Sequence, residues 1–380
     1  GTGENIRNTT VDFEPQGDES VDDGFYANLA ENMADRECSR VASELMEEYD
    51  ANKASRAEWE DAYSNGLELL GFTYDERTQP FRGASGVTHP LLAEAATQFQ
   101  AQAFNELLPA SGPVRTVVMG KETRAKYDQS QRVQQFMNYY ISNVMEEYTP
   151  DMDQMLFYLP LAGSTFKKTY FDETLDRAVS KFVPAENLVV PYETSDLETC
   201  PNITQVVRMS LNDLRKRQIS GFYLDIDVIP AQKELNEVES ELEGITGMEP
   251  NQIDYDCTIL ECHVDLDLEG YEDEDDDGEP TGIKIPYIVT LSLDNGQVLS
   301  IRRNYLEDDE QRKKIQYFTH YKFLPGFGFY GLGLIHTIGG LSRTATAALR
   351  QLIDAGTLSN LPAGFKARGL RIRDDDDPLQ

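Results

Sequence analysis

The segment Glu272-Asp273-Glu274-Asp275-Asp276-Asp277-Gly278 gathers the densest set of side chains able to do chemistry. Asp273, Asp275, Asp277 and Gly278 match the first half of a calcium loop, in which alternating carboxylates hold the ion and a glycine turns the chain. The second half departs from the pattern, because Pro280 falls inside the loop and Lys284 stands where a bidentate glutamate is needed. A long acidic run produces such a half-match from composition alone, so the segment reads as a solvated acidic loop.

The other ligand types are sparse. Cys257, Cys262 and His263 are soft metal ligands by type, but alternation along a strand puts Cys257 and His263 on one side and Cys262 on the other. His89, His320 and His336 sit before a proline, inside a strand-like run and at a helix start, and no Ser, His and Asp set declares itself. There is no nucleophile elbow, lysine-bearing phosphate loop or HExxH helix, and Gly326, Gly328, Gly331 and Gly333 lack the strand and lysine that frame a nucleotide loop. The expectation is a non-enzymatic chain with no catalytic, cofactor or metal residues. Two alternatives stay open: a metal-dependent nucleic-acid-processing enzyme, which would need separated carboxylates converging in a pocket, and a calcium-binding structural protein.

Charge bears on partners. The 380 residues carry 67 acidic against 34 basic side chains, a net charge of -33. A field of that sign opposes tight binding to phosphate backbones and suits a surface past which DNA slides, although it also serves solubility. One region reverses the balance. Between Gly331 and Arg373 the bases Arg343, Arg350, Lys366, Arg368, Arg371 and Arg373 face the single acid Asp354, and Asp374 to Asp377 then restore the negative sign. These residues are read either as a solvated helix face and loop or as contacts to a partner or DNA.

The elements that must position these residues follow from periodicity. Residues 1–35, polar, acidic and aperiodic at their start, read as a flexible N-terminal arm. Helical spacing runs over 36–70, with Val41, Leu45, Tyr49, Trp59, Tyr63 and Leu67 on one face. Further helices are predicted over 91–107 and over 122–148, the second carrying Val133, Phe136, Met137, Tyr140, Ile141 and Val144 and closed by Pro150. Short strands follow at 165–171, 178–183 and 188–190. Ser210 and Asp213 resemble a variant capping box, and 231–243 reads as an acidic helix broken by Gly244. Strands are expected over 255–268 and 287–303, with Asp294-Asn295-Gly296 as a hairpin turn, and 315–323 completes the sheet. The glycine-dense run 325–333 reads as a hinge or tight crossing, and a helix over 334–358 mixes Ile335, Ile338, Leu341, Leu349, Leu352 and Ile353 with glycines and alanines that permit close helix packing. The predicted class is α+β: helices and mixed or antiparallel strands leading into a long helix.

Four cysteines without a CxxC pair make no disulfide framework and point to a reducing cytoplasm, and no apolar run reaches the roughly 18 residues of a membrane span. A chain lacking an initiating Met and stopping at Gln380 is expected to be a segment of a longer one.

The phrases Tyr321-Lys322-Phe323-Leu324-Pro325-Gly326-Phe327-Gly328-Phe329-Tyr330-Gly331-Leu332-Gly333 and Asn360-Leu361-Pro362-Ala363-Gly364-Phe365-Lys366, with the helix between them, resemble the stem region of phage portal proteins. The resemblance is closest to those of short-tailed, P22-like podoviruses. Upstream, Arg82 to Gly86, His89-Pro90-Leu91-Leu92, Gly163-Ser164-Thr165-Phe166-Lys167-Lys168 and Val183-Pro184-Ala185-Glu186-Asn187-Leu188 are similar to wing segments of that family. These phrases span roughly residues 40 to 380 and identify the family only in combination.

The resemblance implies a wing over 36–329, a first stem helix over 330–358 and the start of a clip over 359–380, with a second stem helix, tunnel loop and crown beyond Gln380. It implies a twelve-subunit ring at a unique capsid vertex of the virion, assembled in the host cytoplasm and acting as conduit for double-stranded DNA during packaging and ejection. Its partners would be terminase, the major capsid protein and a tail adaptor, with no membrane. Arg343, Arg350 and Asp354 become stem or channel candidates, and Lys366, Arg368, Arg371 and Arg373 clip or partner contacts.

Overall fold

A computed structural model describes residues 24–72, 76–172, 175–228, 237–246, 257–273 and 279–360. Helices α1 (Asp35–Ser55), α2 (Ala57–Leu67), α3 (Leu91–Leu107), α4 (Arg124–Tyr139) and α5 (Tyr148–Ala162) precede strands β1 (Ser164–Asp172), β2 (Arg177–Pro184), β3 (Leu188–Val189) and β4 (Asn202–Met209). Then come α6 (Leu211–Ile219), α7 (Glu237–Thr246), β5 (Cys257–Leu266), β6 (Ile285–Ser292), β7 (Val298–Arg303), β8 (Phe318–Lys322) and α8 (Leu334–Asn360). The α+β class stands.

The strands form two antiparallel sheets, ordered β2-β1-β8 and β3-β4-β5-β6-β7. The run 315–323 therefore does not complete the sheet of the 287–303 hairpin. β8 crosses back to pair with β1, Thr165 opposite Tyr321, a partner more than a hundred and fifty residues away that no local pattern announces. The β6–β7 hairpin turns where expected, with Gly296 at φ 66° and its N–H donating 2.9 Å to Ser292 O. The helical face of α1 (Val41, Ala42, Leu45, Tyr49) covers the five-stranded sheet through Leu260, Val264, Tyr287 and Ile301. That of α2 (Trp59, Tyr63, Leu67) packs against Phe166, Phe329, Tyr330 and Ile335 and so joins the small sheet to α8.

Two proline and glycine readings are corrected. Pro150 does not merely close a helix: it sits in the first turn of α5, where its missing N–H costs nothing. The preceding helix ends earlier, in a π-turn over Tyr140–Val144. Gly244 lies inside α7 rather than breaking it. At α6 the capping reading holds, with Ser210 Oγ accepting from Asp213 N–H at 3.1 Å and donating to the Asp213 carboxylate at 2.9 Å. The last part of the expected arm is packed: Asn28 donates to Leu299 O (3.2 Å) and accepts from Ile301 N–H (3.0 Å), extending the hydrogen bonding of β7. Residues 1–23 lie outside the described residues.

Candidate functional site

The glycine-dense run is a crossing. Its backbone lies directly on the α5–β1 junction, so close that a Cβ at Gly333 would sit 2.8 Å from Gly163 N and one at Gly331 would run into Gly163 O. Gly163 itself has φ 86°, which caps α5 in a conformation open to glycine. Several polar groups around the crossing are paired. Ser164 Oγ accepts from Gly331 N–H (2.7 Å) and contacts His320 Nε2 (2.9 Å), and Trp59 Nε1 donates to Gly331 O (3.1 Å). The sequence did not single out this Ser164–His320 pair. Ser164 is fully buried and among the described residues no carboxylate completes it, while His320 stacks against both Phe166 and Phe329. Burial there, with Lys322 nearby, pushes the imidazole pKa down to about 3.

Arg56, at the joint between α1 and α2, fastens this region from behind. It is 1% exposed and donates to the carbonyls of Ala185 (2.9 Å), Glu186 (2.7 Å) and Leu188 (2.9 Å), to the Tyr330 hydroxyl (3.0 Å) and to Glu60 (3.0 Å). Sequence reasoning missed it, since a lone arginine on a helix reads as solvated.

Beyond the crossing, α8 lies along the body with two different faces. Thr346, Arg350 and Asp354, spaced four apart, fall on one side of the helix and hold an extended strap, residues 84–89, that pairs with no strand. Thr346 Oγ1 accepts from His89 N–H (3.0 Å), and Asp354 Oδ1 accepts from Ser85 N–H (2.7 Å). Arg350 donates to Val87 O (2.7 Å), Gly86 O (3.3 Å) and Thr88 Oγ1 (3.1 Å). Arg77 closes the ladder, donating to Ser85 O (3.1 Å) and lying 3.9 Å from Asp354. A strap without a sheet partner needs such side chains to satisfy its backbone. Two of the three stem candidates, Arg350 and Asp354, are thus engaged inside the chain.

Arg343 differs: it is exposed and lines a cleft of about 980 Å³ bounded by α8, α7, the turn after α2 and the strap, where Glu68 and Glu241 also lie. Lys366, Arg368, Arg371 and Arg373 lie outside the described residues, as does 274–278 of the acidic run. Asp273, at its edge, accepts from Thr281 Oγ1 at 2.5 Å and pairs with Arg312.

The opposite face of α8 is open. Leu341 and Leu352 are 63% and 72% exposed, and Ala345 and Ala348 fall between them on the same stripe.

The remaining candidates are separated. Cys257 donates to Met209 O and packs with Leu214 and Tyr223, while Cys262 lies across the sheet in the α1 core. His263 contacts the Glu261 carboxylate (2.7 Å), which also pairs with Lys168 (2.5 Å) between the two sheets. Burial pushes His263 down, whereas Lys168 and His263 together outweigh burial and hold Glu261 well below the usual carboxylate range. Among the described residues no three His, Cys, Asp or Glu side chains group as metal ligands, and no helix is long and apolar enough to cross a membrane.

No protein-family model matches the chain, and no curated protein matches it significantly.

Proposed function

We propose that the chain is a ring-forming structural protein of the portal type, set at a unique capsid vertex and serving as conduit for double-stranded DNA, with terminase, major capsid protein and tail adaptor as its partners. The observation that carries this reading is the division of α8. One side is fastened to the body by Thr346, Arg350 and Asp354, and the other presents Leu341, Ala348 and Leu352 exposed, with Ala345 half-buried between them, along a helix of 27 residues, about 40 Å long. Alanines between leucines let a neighbouring helix approach to about 8–10 Å, so the stripe fits a repeated helix-to-helix contact around an axis. The net charge of -33 supports the same reading, because an acidic wall lets DNA pass without gripping it. The phrase resemblance around 321–366 supplies the family.

The test is negative-stain electron microscopy with native mass spectrometry of the purified protein. Rings of uniform symmetry with a central hole, twelve copies by mass, are expected. A monomer that persists at high concentration overturns the reading.

A further inference from the structure

α4 is a helix of 16 residues that buries none of its side chains. Val133, Phe136, Met137 and Tyr140, at i, i+3, i+4 and i+7, form one apolar face, yet Phe136 is 61% exposed and Val133 and Met137 are also exposed. Core packing does not hold this helix. Its other side is tied to residues 114–116 by polar contacts: Asn138 donates to Val114 O (3.1 Å) and accepts from Val114 N–H (2.8 Å), and Thr116 bonds Gln134 and Ser130. That segment runs on into Val117 and Met119, 85% exposed in the second case. Residues 113–139 thus make an arm that is apolar outside and polar inside, tethered at its base where Ala178 N–H donates to Tyr140 Oη (2.9 Å).

The arm also inverts the charge of the chain. Arg115, Lys121, Arg124, Lys126 and Arg132 stand against only Glu122 and Asp128, a local balance of five to two within a protein of net charge -33. The opposite balance lies on α1 and α2, where Asp35, Glu44, Glu47, Glu48, Asp50, Glu58 and Asp61 are exposed beside Arg36, Arg40 and Lys53, Arg40 being paired with Glu44.

We infer that the arm docks on a second copy of this chain, its apolar face and flanking bases meeting the acidic α1–α2 surface of the neighbour. Two different patches make a head-to-tail contact, the kind that closes a ring when the rotation is right. The inference rests on the ring-forming reading and assigns to it a surface away from α8. Nucleic acid is the less favoured occupant, because the arm offers aromatic and aliphatic side chains between its few bases and the remaining chain repels phosphate.

The experiment places a photo-crosslinking benzoylphenylalanine at position 136 in the whole protein and mixes isotopically heavy and light copies. Expected are heavy–light crosslinks into residues 35–67, and at least about a tenfold weakening of self-association in Val133→Glu/Phe136→Glu, as loss of an aromatic anchor at an interface produces. Circular dichroism checks that the variant stays folded, which exposure of both sites favours. Rings that form with no crosslink from position 136 to a second copy overturn this inference and leave the ring reading standing. Crosslinks to added duplex DNA in place of a second copy also overturn it. A wild-type protein that stays monomeric at high concentration overturns both.

Discussion

Replacing Arg350 by alanine removes, among its contacts, the hydrogen bonds to Val87 O, Gly86 O and Thr88 Oγ1, and so takes a charged donor from two carbonyls of the 84–89 strap. Hydrogen bonds from a charged donor are each worth about 1.5–3 kcal/mol. The longest of the three, at 3.3 Å, contributes least, and partial exposure of the guanidinium screens the set. A loss of about 2–3 kcal/mol follows. At about 2–4 °C per kcal/mol for a large folding unit, the apparent Tm falls by about 4–12 °C. The strap should also open locally, since Thr346 and Asp354 hold only its two ends. Limited trypsin digestion reads that, because Arg77 and Arg82 lie just before the strap. Arg343→Ala is the control: exposed on the same side of α8 but two turns before Arg350, it should change stability by no more than about 0.5 kcal/mol. If the two variants melt together and are cut at Arg77 and Arg82 at wild-type rates, the ladder does not hold the strap and the reasoning fails.

Arg56→Met should destabilise the protein by about 3–5 kcal/mol, since it strands the buried Glu60 carboxylate and three carbonyls; urea unfolding measures it, and Glu60→Met added to it should recover part of the loss. The His320 imidazole, pushed down to about 3, stays neutral in the fold while the unfolded chain binds a proton below about pH 6.5. Stability therefore falls as pH drops from about 6.5 towards 3, by up to about 1.4 kcal/mol per pH unit from this group. His320→Asn should flatten the slope of urea midpoints between pH 7 and pH 4.5, and an unchanged slope counts against the assignment. Gly333→Ala puts a Cβ into the α5–β1 backbone and should abolish soluble folded protein, whereas Gly340→Ala, with nothing within 4 Å, should raise Tm slightly through helix propensity worth up to about 1 kcal/mol; expression and thermal scans of the pair separate a crossing from a hinge.

Local periodicity made most elements readable. Helix α3 falls on the predicted 91–107, and the Asp294-Asn295-Gly296 turn joins β6 to β7 as its residues require. What failed depends on distance or on context. β4 was missed because Val206 and Val207 break its alternation, and α5 because Pro150 was read as a stop when it belongs to a first turn. The division into two sheets was not legible, since β8 finds β1 across most of the chain. At the site, the spacing of Thr346, Arg350 and Asp354 carried a signal that charge alone obscured: three polar residues four apart on a small-residue helix mark a face with a polar partner. Arg56 carried no such signal, because only the tertiary fold brings three carbonyls to its guanidinium.

The distribution of polar and apolar groups in this chain runs against the usual order, and that inversion bears on assembly. Arg56, Glu60 and Asp354 are spent inside, each with a hydrogen-bonded partner, while Leu341 and Leu352 on α8 and Phe136 on α4 are left in water. Burying a leucine or phenylalanine side chain gains about 1.5–3 kcal/mol, so covering Leu341 and Leu352 on a copy gains about 3–6 kcal/mol. That is modest against the cost of pairing two free molecules. In a closed ring, however, each copy makes the contact on both sides, and the last junction joins ends already held together, so it gains its full contact at little further cost in freedom. A weak, repeated helix contact with a second contact at the arm is therefore sufficient for a ring and insufficient for a lasting dimer. Intermediates between monomer and ring should accordingly be scarce in native mass spectra at every concentration.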